Sequence, residues 1–367
     1  MSKAKINNKT KLELSILSGA CCERCGIYLY KDFLTASPTK FAEHAHIIAD
    51  SDDGPRGDDE YVEYKESVDN LMLLCSNCHT IIDKNPKEFP VEYLRKLKTE
   101  HEERVRLLLS IPKDNKAQVV IYHTRIFQNE VVFNLNAIRS SVVADGFYPL
   151  STNIDISNKS TIADDAKDYY NLHVIDLETN FKYELNKFRE NKGKIFLYAL
   201  APQPLLIKLG TLLNKTFDVT VKNLSRETGW CWGDDKDEVA FKVNKPNTFN
   251  SYNAICLKLS VSDEIINQRI ENVLGKDVDI WEITVPDPNL YKITKENDLR
   301  NFSVTVNSVM NEIKNVYGQN KPVHVFPAVS NALAVEFGRC YMPKVYNHLV
   351  LYDATGKERK FIKTVEI

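Results

Sequence analysis

At 367 residues, with 43% hydrophobic and 27% charged residues, the chain has an ordinary globular composition and room for two or three domains. A formal net charge of −2 excludes a nucleic-acid binder that works by overall charge, but not one that presents a local basic face. No apolar stretch approaches the ~20 residues of a membrane helix, and no apolar run follows the basic N-terminus, so neither a membrane partner nor a signal peptide is expected. Four of the eight cysteines stand in metal-binding spacing and the rest are scattered, which fits a reducing, cytoplasmic setting better than a disulfide scaffold.

Residues 10–20 predict a short helix with Leu12, Ile16 and Leu17 on one face. It leads into Cys22-Glu-Arg-Cys25, and a second pair, Cys75-Ser-Asn-Cys78, lies some fifty residues on. Each Cys-x-x-Cys turns the backbone tightly enough to aim two sulfurs at one ion. Two such knuckles make a closed four-thiolate set with no open position, hence a structural zinc site of Cys22, Cys25, Cys75 and Cys78. Cys21 is left over. Between the knuckles run Glu43-His44-Ala45-His46-Ile47-Ile48 and a loop over residues 50–59 dense in Asp, Gly and Pro. If residues 43–48 are extended, His44 and His46 share one face and Ala45 takes the other. Asn70 precedes the second knuckle, and His79 and Asp83 follow it. If Cys78 opens a helix, His79 and Asp83 sit one turn apart, a spacing suited to two metal ligands.

With His46, Asn70 and His79 threaded through the zinc ligands, residues 12–85 resemble the HNH endonuclease family, in the branch with paired cysteine knuckles and an Ala-His-Ile core. Gly54-Pro55-Arg56-Gly57 is part of the match. The resemblance implies a two-stranded hairpin followed by a helix, gripping one divalent ion, Mg²⁺ or another. It makes His46 the general base that takes a proton from the attacking water, Asn70 the residue that holds the hairpin and orients His46, and His79 a ligand of the catalytic ion. Where many HNH enzymes carry a metal ligand just before the base, this chain has Ala45. The ion must draw on His79 with Asp83, His44 or Glu43.

Residues 91–110 predict a long helix, apolar at Val91, Leu94, Leu97, Val105 and Leu108 and charged all round in its middle, which suggests a solvated spacer. Pro112 and the polar run behind it end the first domain, giving residues 1–112 and 118–367 as the two domains. Beyond the boundary, apolar strands are expected at 119–122, 195–198, 217–221, 254–259, 280–285, 323–326 and 348–352, with helices over 165–191 and 294–317. That alternation is the pattern of an α/β fold with largely parallel sheets.

An internal repeat lies within this half. Residues 194–210 can be laid on residues 322–338 at a constant offset, which pairs Gly210 with Gly338. Each copy reads as an apolar strand, a turn of small and amide residues, and a helix reaching a Gly. Such strand-to-helix turns are where α/β sheets bind ligands. On Ala201-Pro-Gln-Pro-Leu-Leu206 with Gly210, and Phe326-Pro-Ala-Val-Ser330 with Gly338 and Pro343, residues 120–367 resemble the SAVED domain. That resemblance implies two fused Rossmann-like (CARF-like) units that sense cyclic oligonucleotides. Gln203, Pro204, Ser330 and Asn331 are the expected contacts at the two turns. Trp230 and Trp232 are candidate stacking surfaces for bases, and Lys222, Lys242 and Lys245 possible phosphate partners.

HNH followed by SAVED is the pairing found in effector nucleases of bacterial antiphage signalling (CBASS). The expectation is therefore an antiphage effector that degrades double-stranded DNA once a cyclic dinucleotide or related messenger is bound, through a ligand-induced dimer or tetramer. Two other readings stay open at this point: a restriction-type HNH nuclease that reads modified DNA through its C-terminal half, and an inactive, zinc-stabilised DNA-binding regulator, which Ala45 favours.

Overall fold

The computed structural model describes residues 6–31, 37, 40–51, 53–57, 65–125, 132–158, 162, 168–190, 193–225, 229–233, 238–250, 252–355 and 359–367. Parts of two expectations, residues 52, 58 and 59 of the loop and 165–167 and 191 of the helix, lie outside the described residues. The chain folds as two compact units, Met1–Pro112 and Lys113–Ile367.

The first unit opens with α1 (Asn8–Leu17), capped by Asn7, whose side chain accepts a hydrogen bond from Thr10 N. It stops short of residue 20 because Gly19 and Ala20 both adopt left-handed backbone angles, φ +61° and +59°. The buried face is set by Leu14 and Ser18, one turn apart, while Leu12 and Ile16 stay exposed. Four apolar residues in six positions offer two faces, and tertiary packing chose the one the sequence reading did not. β1 (Ala42–His46) and β2 (Leu71–Cys75) form an antiparallel hairpin pairing Ala42 with Cys75 and His46 with Leu71. A 3-10 turn, Val68–Asn70, leads into β2, and α2 (Ser76–Lys84) leaves it without a break.

α3 (Val91–Ser110) starts at the Pro90 boundary and spans the expected range. Its charged middle is not a solvated spacer. Lys98 and His101 are buried, Lys98 lying between Glu23 and Glu102 and His101 Nε2 meeting Ser18 O at 2.9 Å. Glu23, whose Oε2 accepts from Leu73 N at 3.1 Å, is pushed up to about 8 by burial despite Lys98 beside it.

The second unit contains two sheets. In chain order its elements are β3 (Lys116–His123), α4 (Leu135–Ala144), β4 (Tyr148–Pro149), β5 (Ile154–Asp155), α5 (Tyr169–Glu190), β6 (Lys194–Leu200), α6 (Gln203–Leu212) and β7 (Val219–Lys222). There follow β8 (Lys242–Asn244), β9 (Ala254–Ser260), α7 (Asn267–Leu274), β10 (Val278–Thr284), α8 (Glu296–Tyr317), β11 (Val323–Ala328), α9 (Asn331–Cys340), β12 (Leu349–Thr355) and β13 (Lys360–Glu366). The first sheet is parallel, in the order β4-β3-β6-β7 with β5 also on β3. The second runs β13-β12-β11-β9-β10-β8, four parallel strands flanked by antiparallel β13 and β8. Central strands such as β3 are buried along nearly their whole length, as parallel strands covered on both faces must be. These are the two α/β units expected from the sequence. Among the described residues no helix is long and apolar enough to cross a membrane.

The repeat has a physical basis in the contact between α6 and α9. A Cβ on Gly210 would lie 2.1 Å from Val335 O, and one on Gly338 would lie 2.0 Å from Ile207 O. The two contacts are reciprocal: each glycine admits the carbonyl of the residue that corresponds to 207 or 335 in the other copy. The two repeats of the second unit therefore meet about a local pseudo-twofold axis, with the backbones of α6 and α9 in direct contact. α9 also seals the open edge of the first sheet, its Arg339 donating to Val219 O and Phe217 O at 2.8 and 3.1 Å.

Because both obstructing atoms are backbone oxygens, Gly210→Ala should destabilise this unit by about 3 kcal/mol in a denaturant titration, with zinc content unchanged. An unchanged midpoint would mean that the helices part without cost.

Candidate functional site

Four sulfurs converge at one end of the hairpin. The Sγ atoms of Cys22, Cys25, Cys75 and Cys78 all lie within 4.8 Å of one another, with Cys25 and Cys75 3.9 Å apart. That separation suits thiolates around a tetrahedral zinc with Zn–S bonds of about 2.3 Å. In the first knuckle Gly26 N donates to Cys22 O at 2.7 Å, with Gly26 at φ +75°. In the second, Cys75 is both the last residue of β2 and the N-cap of α2, its Sγ accepting from Cys78 N at 3.5 Å. Arg24 lies over the Phe89 ring and donates to Cys78 Sγ at 3.6 Å, a cation set against the negative charge of a four-thiolate site.

The chemistry-bearing side chains lie further along the same hairpin and helix. His46 ends β1 and is half-buried, and its Nε2 is buried with no hydrogen-bond partner among the described residues. Burial lowers its pKa below the ordinary imidazole value, against the opposing pull of Asp50, Glu66 and Asp83. A neutral ring at neutral pH is what a general base requires. Asn70 holds the chain just past His46: its Oδ1 accepts from Ile48 N at 2.9 Å, and its Nδ2 donates to Ile48 O and Lys65 O at 3.0 and 3.1 Å.

On α2, His79 has a carboxylate at each ring nitrogen, Glu43 Oε2 at 2.6 Å from Nδ1 and Asp83 Oδ2 at 3.1 Å from Nε2. Glu43 Oε1 also accepts from the Ser76 hydroxyl at 2.6 Å, and that hydroxyl, then His79, holds the Glu43 carboxyl below the usual range. The helix spacing of His79 and Asp83 is thus realised. His44 is not drawn in with them. Its Nε2 is buried with no hydrogen-bond partner among the described residues, and the two ring nitrogens of His79 are taken by Glu43 and Asp83.

Arg56 was part of the sequence match but carried no assigned role. Its side chain is 5% exposed, and it donates to Ile47 O at 2.7 Å, Ile82 O at 3.2 Å and Asp83 Oδ1 at 3.0 Å. One guanidinium thus fastens the residue after His46 to the carboxylate beside His79. Arg56 sits at φ +60°, a conformation costing a non-glycine residue roughly 1–2 kcal/mol, which these three bonds offset.

In the second unit Gln203 lies at the N-terminus of α6 and accepts from Val329 N at 3.1 Å. It borders a cavity of about 640 Å³ at the carboxyl ends of β9, β11 and β12, shared with Ser262, Arg269, Tyr291, Asp353 and Arg359. The other expected contacts need correction. Pro204 is buried in the helix. Ser330 spends its hydroxyl capping α9. Asn331 donates to Ala199 O and Lys222 O and accepts from Leu224 N, so its amide stitches the two repeats together.

Trp230 is 9% exposed, stacked on Phe133 and edge-on to Tyr198, which makes it a core side chain with no free face for a base. Trp232 is half-buried against a different cluster, so the two tryptophans share no platform. Lys222 is fully buried and paired with Asp145 at 2.7 Å, and Lys245 pairs with Glu312 at 2.6 Å; Lys242 is exposed on β8. Burial and pairing decide these cases, and neither is written in local spacing.

The HNH endonuclease family model matches residues 22–85. The model of the SMODS-associated and fused to various effectors sensor domain, SAVED, matches residues 177–367. No curated protein matches the sequence. Among solved structures the chain is similar to an Acinetobacter baumannii Cap4 SAVED/CARF-domain containing receptor with the cyclic trinucleotide 2'3'3'-cAAA. That match has 12% identity and a TM-score of 0.45, over 77% of this chain and 61% of that one. A Moraxella osloensis Cap4 SAVED/CARF-domain containing receptor matches at 12% identity and a TM-score of 0.38, over 84% of this chain and 63% of that one. The chain thus spans less than two thirds of the length of either receptor.

Since the four thiolates join both knuckles, Cys75→Ser should abolish zinc retention and unfold the first unit while the second stays folded. Metal analysis after gel filtration and limited proteolysis read the two halves separately, and full zinc content in the variant would contradict the assignment.

Proposed function

The chain belongs to the SAVED family of sensor domains and carries an HNH endonuclease domain ahead of the sensor, and from that premise we infer that it is a messenger-activated, metal-dependent DNA endonuclease of the CBASS type. The observation that carries the reading is that His79 meets Asp83 on α2 while Arg56 ties Asp83 to the backbone directly after His46, in a chain whose second unit offers a cavity at the carboxyl ends of parallel strands.

In this reading His79 Nε2 and Asp83 Oδ2, which meet at 3.1 Å one turn apart on α2, would hold the catalytic divalent ion. The ion would supply positive charge to the scissile phosphate and the leaving 3′ oxygen. His46, kept neutral by burial, takes the proton from the attacking water. Asn70 and Arg56 hold the backbone just after the base, at Ile48 and Ile47, so that it does not drift from His79.

For the sensor, the cavity beside Gln203 supports binding of a cyclic oligonucleotide. Arg269 and Arg359 provide cations for its phosphates, Tyr291 a flat face for a base, and Gln203 a polar contact. Activation requires that the messenger favour one state of the protein over another. A duplex has two strands, so a ligand-induced dimer or tetramer that pairs nuclease sites is the state proposed. The partners are thus double-stranded DNA, the messenger and further copies of the chain.

Plasmid incubated with the protein and Mg²⁺ should be degraded only when one member of a panel of cyclic di- and trinucleotides is added, and His46→Ala should bind that nucleotide without cutting. Cutting without any nucleotide would remove the switch, and cleavage by His46→Ala would remove the base. The acid limb of the cleavage rate should fall below pH 6.5, the ordinary histidine value, because a lowered pKa keeps His46 neutral to lower pH. A midpoint at or above that value would show that burial does not tune the base.

A further inference from the structure

We propose that Glu43 is a positioning residue that fixes the tautomer and direction of His79, and is not itself a ligand of the catalytic ion. The inference rests on the nuclease reading above and concerns the choice that the sequence left open among His44, Glu43 and Asp83.

Both oxygens of Glu43 are engaged by the first turn of α2. Oε1 accepts from the Ser76 hydroxyl and Oε2 meets His79 Nδ1, each at 2.6 Å. Ser76 and His79 are three residues apart in the helix and so lie on one face. The hairpin register brings Glu43 opposite Leu74, two residues before Ser76, which aims its side chain at that face. A carboxylate in this range can only accept, so the proton between Glu43 and His79 belongs to Nδ1. The other ring nitrogen, Nε2, is thereby turned to a second acceptor, Asp83 Oδ2, at 3.1 Å.

Nε2 and Asp83 Oδ2 are both acceptors once Nε2 is deprotonated, so under the nuclease reading this end of the ring is where a divalent ion would take the place of a proton. Glu43 lies at the opposite nitrogen and cannot reach the same ion without giving up His79. It plays the part of the carboxylate that orients a metal-bound histidine and raises its basicity. Asp83 is held in turn by Arg56, so each of the two ligands has its own support.

The arrangement predicts how two substitutions separate. On the full-length, zinc-loaded protein, Mn²⁺ binding is followed by the electron paramagnetic resonance of the free ion. Glu43→Ala should weaken Mn²⁺ binding about 10- to 100-fold, and its plasmid cleavage should recover at saturating Mn²⁺. Glu43→Gln keeps an oxygen for the Nδ1 proton and an amide for Ser76, so it should recover most of that affinity. Glu43 is 43% exposed at its side chain, so neither change should disturb zinc content or folding.

Unchanged Mn²⁺ affinity in Glu43→Ala would overturn the inference. So would a Glu43→Gln protein as weak as the alanine variant, which would make Glu43 a ligand. If the wild type itself binds no Mn²⁺, the nuclease reading fails together with the inference; if the wild type binds and the variants match it, the inference alone fails.

Discussion

Cys75 does three things at one point in space, and the nuclease unit depends on their coincidence. It ends β2, caps α2 through its sulfur, and closes the second knuckle with Cys78. Because α2 leaves the strand without a loop, the direction of the helix is set where the metal would bind, and His79 follows immediately. The apolar cluster beneath the hairpin, from Leu14 through Leu71–Leu74 to Ile82, is small. A four-thiolate closure across the hairpin would add a constraint that the apolar packing beneath it does not supply.

Around that fixed corner the charges are arranged in series. Ser76 holds Glu43, Glu43 holds His79, Asp83 stands at the other ring nitrogen, and Arg56 ties Asp83 to the backbone beside His46. Each link is a charge-assisted or short hydrogen bond, the class that gives directional control in a partly exposed site. His46 stands apart from the series, with burial where the others have partners. His79 is thus flanked by carboxylates, while burial holds the His46 pKa below its ordinary value.

The sensor unit solves a different problem, that of making two sheets act as one body. Gly210 and Gly338 let α6 and α9 touch backbone to backbone, and Gln203, Asn331 and Arg339 reach across to backbone groups of the opposite repeat. One apolar core includes residues of both sheets and of α5, α6, α8 and α9, while the other face of each sheet packs in its own cluster. The turns at the starts of α6 and α9 are thus braced by the side chains that also join the repeats.

The sequence by itself determined whatever depends on short spacing. The Cys-x-x-Cys pairs, the one-turn interval from His79 to Asp83, the strand and helix alternation, and the equal offset of Gln203 and Asn331 are all local or periodic, and each reappears in the fold. Only the tertiary structure decided which polar groups are spent. Trp230, Asn331 and Lys222 are of the residue types that bind nucleotides, but Phe133, Ala199 and Asp145, all distant in sequence, have claimed them. Glu43 and Arg56 acquire their roles in the same way, from partners on α2 some thirty residues downstream. Residue type and spacing encode what a side chain can do; which group it meets is fixed by contacts that exist only once the chain has folded.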